Sequence, residues 1–194
     1  MITIDGLSLS YNGQQVLKDC SLRLETGSRV ALMGPSGCGK TSLINVIAGL
    51  LTPDSGSVTV MGKVSYVFQE PALFPWLTAA ENINVVLSDS AATLPRAQAL
   101  LDAVGLSDCR DKYPHQLSGG QKQRVAICRA LAYGGDVLLL DEPLKGLDPQ
   151  TRDRVVALIL QEWADKTLLL VTHDLQEAQS LCHRVYTWQE GTFR

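Results

Sequence analysis

Val30-Ala31-Leu32-Met33-Gly34-Pro35-Ser36-Gly37-Cys38-Gly39-Lys40-Thr41 is the stretch on which the reading of this 194-residue chain turns. Four apolar residues of strand character run into the pattern G-x-x-x-x-G-K-[ST], and a helical pattern continues from Lys40 to about Ala48. Glycine lets a backbone wrap closely, so that successive N–H groups of Gly34–Gly39 point at phosphate oxygens. The start of the following helix adds its positive dipole end. Lys40 is then placed to reach β- and γ-phosphates, and the Thr41 hydroxyl, with Ser42 beside it, to approach phosphate-bound magnesium.

Reading outward, Ile2, Ile4 and Leu7, then Leu22 and Leu24, alternate as in strands, with turns at Asn12-Gly13 and Thr26-Gly27. Two short strand-like pieces, Ser57–Met61 and Lys63–Phe68, follow the first helix. The composition then changes. From about Pro71 to Gly105, Leu94, Ala97, Leu100, Leu101 and Val104 recur at helical spacing, which predicts a small helical lobe. Beyond Ser118 the expected order is helix Gly119–Tyr133, strand Val137–Asp141, helix Pro149–Ala164, strand Thr167–Thr172 and helix Leu175–Cys182. Asp148-Pro149 is an N-cap followed by proline at the first helical position. Asp174 to Glu177 has capping-box spacing. Such alternation predicts an α/β fold with a mostly parallel sheet, an N-terminal antiparallel β lobe and a small helical lobe.

Leu138-Leu139-Leu140-Asp141-Glu142 reads as a buried strand ending in two carboxylates. Asp141 suits a magnesium ligand and Glu142 a base acting on an attacking water. Together the two motifs indicate a P-loop nucleotidase.

Whole-chain properties narrow the class further. Net charge is -3, from 17 basic and 20 acidic side chains, so no electrostatic footprint for nucleic acid is expected. The greasiest runs, Val137–Leu140 and Leu168–Val171, are far shorter than the ~20 apolar residues of a membrane-spanning helix. The N-terminus lacks signal-like character, and the five cysteines have no C-x-x-C pair. A cytoplasmic protein with reduced thiols is expected, reaching a membrane only through a partner.

Leu117-Ser118-Gly119-Gly120-Gln121 resembles the signature motif of ATP-binding cassette (ABC) proteins. As chemistry it is a hydroxyl and two glycines opening a helix, a second phosphate-binding arrangement. The resemblance extends over the whole chain, with motifs in family order, and implies one ABC ATPase domain over residues 1–194 with a helical lobe at about 71–118. It implies ATP and Mg²⁺ as ligands. It assigns Gln69 to the nucleotide's magnesium, Tyr11 to stacking on adenine, Gly146-Leu147-Asp148 to the D-loop and His173 to the γ-phosphate as a catalytic partner of Glu142. It also implies two cassettes facing head to tail, as a homodimer or with a sister subunit, with ATP between one P-loop and the other chain's Ser118–Gln121.

Val67 to Thr78, with Tyr113-Pro114-His115-Gln116, resembles importers of nitrate, sulfonate and taurine. That resemblance implies a transmembrane permease, a solute-binding protein and a place on the cytoplasmic face of the membrane. Phe74 and Trp76 would then be exposed anchors for the permease. The chain departs from the family in three places. Only 29 positions separate Lys40 from Gln69, Lys145 stands where a small polar residue is more usual, and with 21 positions after His173 no added regulatory domain is expected. The alternatives are a soluble non-transport ABC ATPase and an exporter subunit.

Overall fold

A computed structural model of the chain describes residues 1–87, 93–189 and 192–193, and the side chains of Thr93, Leu94, Gln189, Thr192 and Phe193 lie outside what it describes. The chain forms two compact units. The first comprises residues 1–66, 136–142 and 163–194, and the second comprises residues 67–135 and 143–162.

In the first unit, alternation makes Ile2–Tyr11 (β1) and Gln14–Leu24 (β2) an antiparallel hairpin. Asn12 and Gly13 both take positive φ, 49° and 79°, as the two-residue hairpin turn demands. Ser55–Val60 (β4) pairs along the other edge of β1, giving the order β2-β1-β4. One face of this small sheet is apolar: Ile2, Ile4, Leu7, Leu17, Cys20 and Leu24 are all buried.

The larger sheet holds Arg29–Met33 (β3), Val64–Val67 (β5), Val137–Asp141 (β6), Thr167–Thr172 (β7), Arg184–Gln189 (β8) and Thr192–Phe193 (β9), in the order β5-β6-β7-β3-β8-β9. β6, β7, β3 and β8 run parallel, and β9 returns antiparallel to β8. β6 and β7 are buried at every position, as expected for central parallel strands covered on both faces. Each fully buried leucine there contributes about 1.5–3 kcal/mol. Lys40–Ile47 (α1) buries Leu43, Ile44, Val46 and Ile47 in the same core.

One strand is added to the sequence reading and one expectation is corrected. β8 is a strand that the sequence pattern does not announce: Arg184, Val185 and Thr187 are exposed, and only Trp188 is buried among its described side chains. The box expected at Leu175–Leu181 (α6) closes differently. Asp174 caps Gln176 and Glu177 at 2.8 and 3.2 Å, but Glu177 accepts a hydrogen bond from the Thr172 hydroxyl. The Asp174 N–H donates to that same hydroxyl at 3.0 Å. Thr172 thus relays the contact that the N-cap would otherwise make directly.

The second unit is helical: Ala79–Asn84 (α2), Thr93–Ala103 (α3), Gly119–Tyr133 (α4) and Pro149–Glu162 (α5). α2, α3 and α4 pack on one another, with Ile83, Ala97, Leu100, Leu101 and Cys128 buried. Burial pushes the Cys128 thiol up to about 12 despite the opposing pull of Arg124 and Arg96. Arg96 pairs with Glu162. No helix among the described residues is long and apolar enough to cross a membrane.

Candidate functional site

The loop at residues 34–39 follows β3 directly, so its place is set by a central strand. Gly37 and Gly39 have φ of 79° and 103°, where L side chains are disfavoured. Gly39 is the N-cap of α1 and offers no side-chain cap, so the first-turn N–H groups receive no capping oxygen. A Cβ at Gly39 would lie 2.8 Å from Val16 Cγ1 and 3.0 Å from Val16 O, so β2 backs the loop closely. At Gly37 a Cβ would meet nothing within 4 Å, and that side of the loop opens outward.

Lys40 is buried, and its ammonium donates to Gly34 O at 2.8 Å and Pro35 O at 2.7 Å, with Cys38 Sγ at 3.5 Å. The stem therefore fills the inside of the loop and holds its positive charge at the loop carbonyls. Pro35, Ser36, Gly37 and Thr41 are exposed, and Gly34, Cys38 and Ser42 are half-buried.

Asp141 is the last residue of β6 and is buried. Burial, and next the Asp141 charge, push the phenol of Tyr66 well above its ordinary value, and the Tyr66 hydroxyl donates to Asn45 Oδ1 at 2.9 Å. Glu142 follows in a left-handed conformation, φ 45°, with its N–H still donating to Val171 O at 2.8 Å. Such a conformation costs a non-glycine residue on the order of 1–2 kcal/mol and turns the side chain out of the strand direction. Glu142 Oε1 lies 2.9 Å from His173 Nδ1. An ionised carboxylate only accepts, so Nδ1 carries the hydrogen and Nε2 is left for another partner. His173 stands between β7 and α6, where the Asp174 cap holds the turn, and it shares an open cleft of about 480 Å³ with Gly34 and Pro35. Loop, carboxylates and imidazole all belong to the first unit.

The oxygen donors Thr41 and Asp141 are the hard type that magnesium takes. Among the described residues no cluster of three or more His, Cys, Asp or Glu could hold a metal alone. A magnesium ion here would complete its shell with phosphate and water, which is its usual habit. The residues therefore fit a magnesium-bound phosphate ligand.

Tyr11 ends β1 and is exposed beside the hairpin turn, and among the described residues no hydrogen bond or ring contact joins it to the loop. Gln69 and Ser118–Gln121 belong to the second unit. Gln69 is exposed just after β5. Ser118 caps α4: its Oγ accepts from Gln121 N at 3.3 Å, and Gln121 Oε1 accepts from Ser118 N at 2.8 Å. Gly119, where an added Cβ would meet nothing within 4 Å, is exposed next to that cap.

Trp76 is 69% exposed, and its ring centroid lies 5.6 Å from that of Phe74. The Arg129 guanidinium sits 5.6 Å over Phe74 and donates to Ala72 O. Sequence reasoning missed the residue that shapes this loop. Asn82, fully buried, accepts from Phe74 N at 2.8 Å and donates to the carbonyls of Phe74, Leu77 and Thr78. An asparagine on a short helix carries no pattern that would have revealed it. Asn45, Tyr66 and Thr172 were missed because their partners lie on other elements.

A strand, a glycine loop and a helix closing on a buried ammonium, with carboxylates and a histidine at neighbouring strand ends, define a phosphate-loop α/β protein. The ABC transporter family model matches residues 17–145, and the chain belongs to that family. It is 42% identical over 198 residues to the aliphatic sulfonates import ATP-binding protein SsuB of Burkholderia ambifaria, covering 98% of this chain and 61% of that one. It is 40% identical to the taurine import ATP-binding protein TauB of Roseobacter denitrificans, covering 95% of this chain and 76% of that protein. The chain thus spans about three fifths of the length of the Burkholderia sulfonate relatives it matches. Its fold matches the dimeric, ADP- and Pi-bound ATP-binding cassette MJ0796 with a TM-score of 0.91 at 31% identity, over 100% of this chain and 97% of that one.

Proposed function

We propose that the chain is the ATP-binding and ATP-hydrolysing domain of an ABC importer, energising passage of a small solute through a separate permease. The observation that carries this reading is the Glu142–His173 pair, 2.9 Å apart, at the ends of β6 and β7 in the same sheet as β3, the strand that leads into the phosphate loop. A scaffold would not need a carboxylate turned into a left-handed conformation and oriented by an imidazole beside that loop.

Each residue's role follows from its chemistry. The N–H groups of Gly34–Gly39 and the start of α1 hold the phosphates. Lys40 exchanges its carbonyl partners for β- and γ-phosphate oxygens. Thr41, with Ser42, and Asp141 would hold magnesium, which supplies neutralisation of the phosphate charge when bound. Glu142 accepts the proton of the attacking water, and His173, holding Glu142 through Nδ1, turns Nε2 toward the γ-phosphate. Tyr11 is assigned to adenine. Ser118–Gln121 is assigned to the nucleotide of a second cassette, homomeric or a sister subunit, because Gly119 leaves that helix start open. MJ0796, a dimer in its ADP- and Pi-bound structure, supports such a pairing.

The exposed Phe74–Trp76 patch suits a permease contact. The names of the relatives, sulfonate and taurine import ATP-binding proteins, support a solute of the sulfonate kind. A solute-binding protein as a further partner and a place on the cytoplasmic membrane face follow from the importer reading itself. Glu142→Gln is expected to keep ATP binding and to lower turnover about 10²–10⁴-fold. Near-normal turnover in the purified variant overturns the assignment.

A further inference from the structure

A second cavity, of about 290 Å³, lies between the end of β2 and the starts of β3 and β8. It is lined by Arg23, Glu25, Arg29, His183 and Arg184 among others. Arg29 begins β3, and the phosphate loop leaves the far end of that strand, about 13 Å away at the rise of an extended chain. The two places are therefore distinct.

The charges in this cavity do not balance. Glu25 is its single carboxylate, and it is taken by Arg23 at 2.8 Å. Among the described residues Arg29 and Arg184 form no ion pair, although the chain as a whole carries net charge -3. Arg29 is half-buried, and its Nε is a buried donor without an acceptor. Its Nη2 lies 2.5 Å from His183 Nε2, so that imidazole is a neutral acceptor facing a guanidinium. Neighbouring Cys182 supplies no counter-charge: burial pushes its thiol up to about 12, against the pull of Arg29. A half-buried guanidinium without an anion is costly, and its fork of donors matches tetrahedral oxyanions.

We propose that this cavity binds a small tetrahedral oxyanion, sulfate or phosphate, between Arg29 and Arg184. The inference does not rest on the function proposed above.

Equilibrium dialysis with radiolabelled sulfate at low ionic strength tests it. One sulfate per chain is expected to bind the Lys40→Ala protein, in which the phosphate loop has lost its ammonium. Arg29→Gln is expected to weaken that binding about tenfold or more. His183→Asp removes no cation but sets a carboxylate against Arg29, so the fold is retained by circular dichroism and sulfate binding is lost. Unchanged binding in the His183→Asp protein, or none in the Lys40→Ala protein, overturns the proposal. So does Arg29-dependent binding to phosphatidylglycerol vesicles without sulfate binding, which would assign the cavity to a lipid headgroup.

Discussion

Gly37 and Gly39 stand two residues apart in one motif, yet their replacement by alanine should differ sharply. Both have positive φ, 79° and 103°, which costs an L residue about 1–2 kcal/mol. Alanine recovers about 0.4–1 kcal/mol by restricting the unfolded chain. At Gly37 the new methyl meets nothing within 4 Å, so Gly37→Ala should destabilise by only about 0.5–1 kcal/mol. At Gly39 the methyl would lie 2.8 Å from Val16 Cγ1, 3.0 Å from Leu17 Cδ2 and 3.0 Å from Val16 O. The oxygen belongs to the backbone of β2 and cannot rotate away. Overpacking of this kind adds about 1–3 kcal/mol, bringing Gly39→Ala to about 2–4 kcal/mol. Urea unfolding followed by tryptophan fluorescence in a Trp76→Phe background reads the first unit alone, because Trp163 and Trp188 both lie there. The midpoint should fall much further for Gly39→Ala, with the slope unchanged. Equal destabilisation by the two substitutions would refute the claim that β2 abuts the loop.

Three further outcomes are expected. With iodoacetamide at pH 8, half-buried Cys38 should be alkylated well before Cys128 and Cys182, whose thiols burial pushes up to about 12; mass spectrometry showing Cys128 modified as fast as Cys38 would contradict this. Asn82→Ala removes four hydrogen bonds from the Phe74–Thr78 loop and should cost about 2–3 kcal/mol, part of it recovered by water at this partly exposed loop. Hydrogen exchange at the Phe74 amide should accelerate, and an unchanged rate would show that Asn82 does not hold the loop. Hydrogen bonds from Thr151 hold the Asp148 carboxyl below its usual range, so its contribution is present above pH about 4 and lost as pH falls through the folded value. The melting-temperature gap between wild type and Asp148→Asn should therefore stay level from pH 8 to 5 and close in acid; a gap undiminished at pH 2.5 would be the wrong sign.

Much of the fold was legible because its signals are local. Val137–Asp141 and Thr167–Thr172 were bounded to the residue, since a wholly apolar run flanked by polar turns has one stable placement in a two-faced sheet. Gly119–Tyr133 was equally plain, from a Ser cap to a glycine stop at Gly134. β8 was not, because an edge-side strand with exposed Arg184, Val185 and Thr187 shows no alternation. Pro149–Glu162 ends two residues before the expected Ala164, and Trp163 instead turns into the core, its indole N–H donating to Thr167 O at 3.1 Å.

The residue types of the site were likewise readable from spacing: glycines, Lys40 and Thr41 in one string, Asp141 and Glu142 at the end of another. Those strings determined which chemistry the chain carries, because backbone curvature and a strand terminus are properties of consecutive residues. Pairing Glu142 with His173 took the tertiary structure, for the two are 31 positions apart and meet only where β6 and β7 lie side by side. The same holds for the close backing of Gly39 by Val16, for the Asn82 clasp and for the charge-rich cavity at Arg29. Each depends on distances between strands or helices, and no periodicity within one element records them.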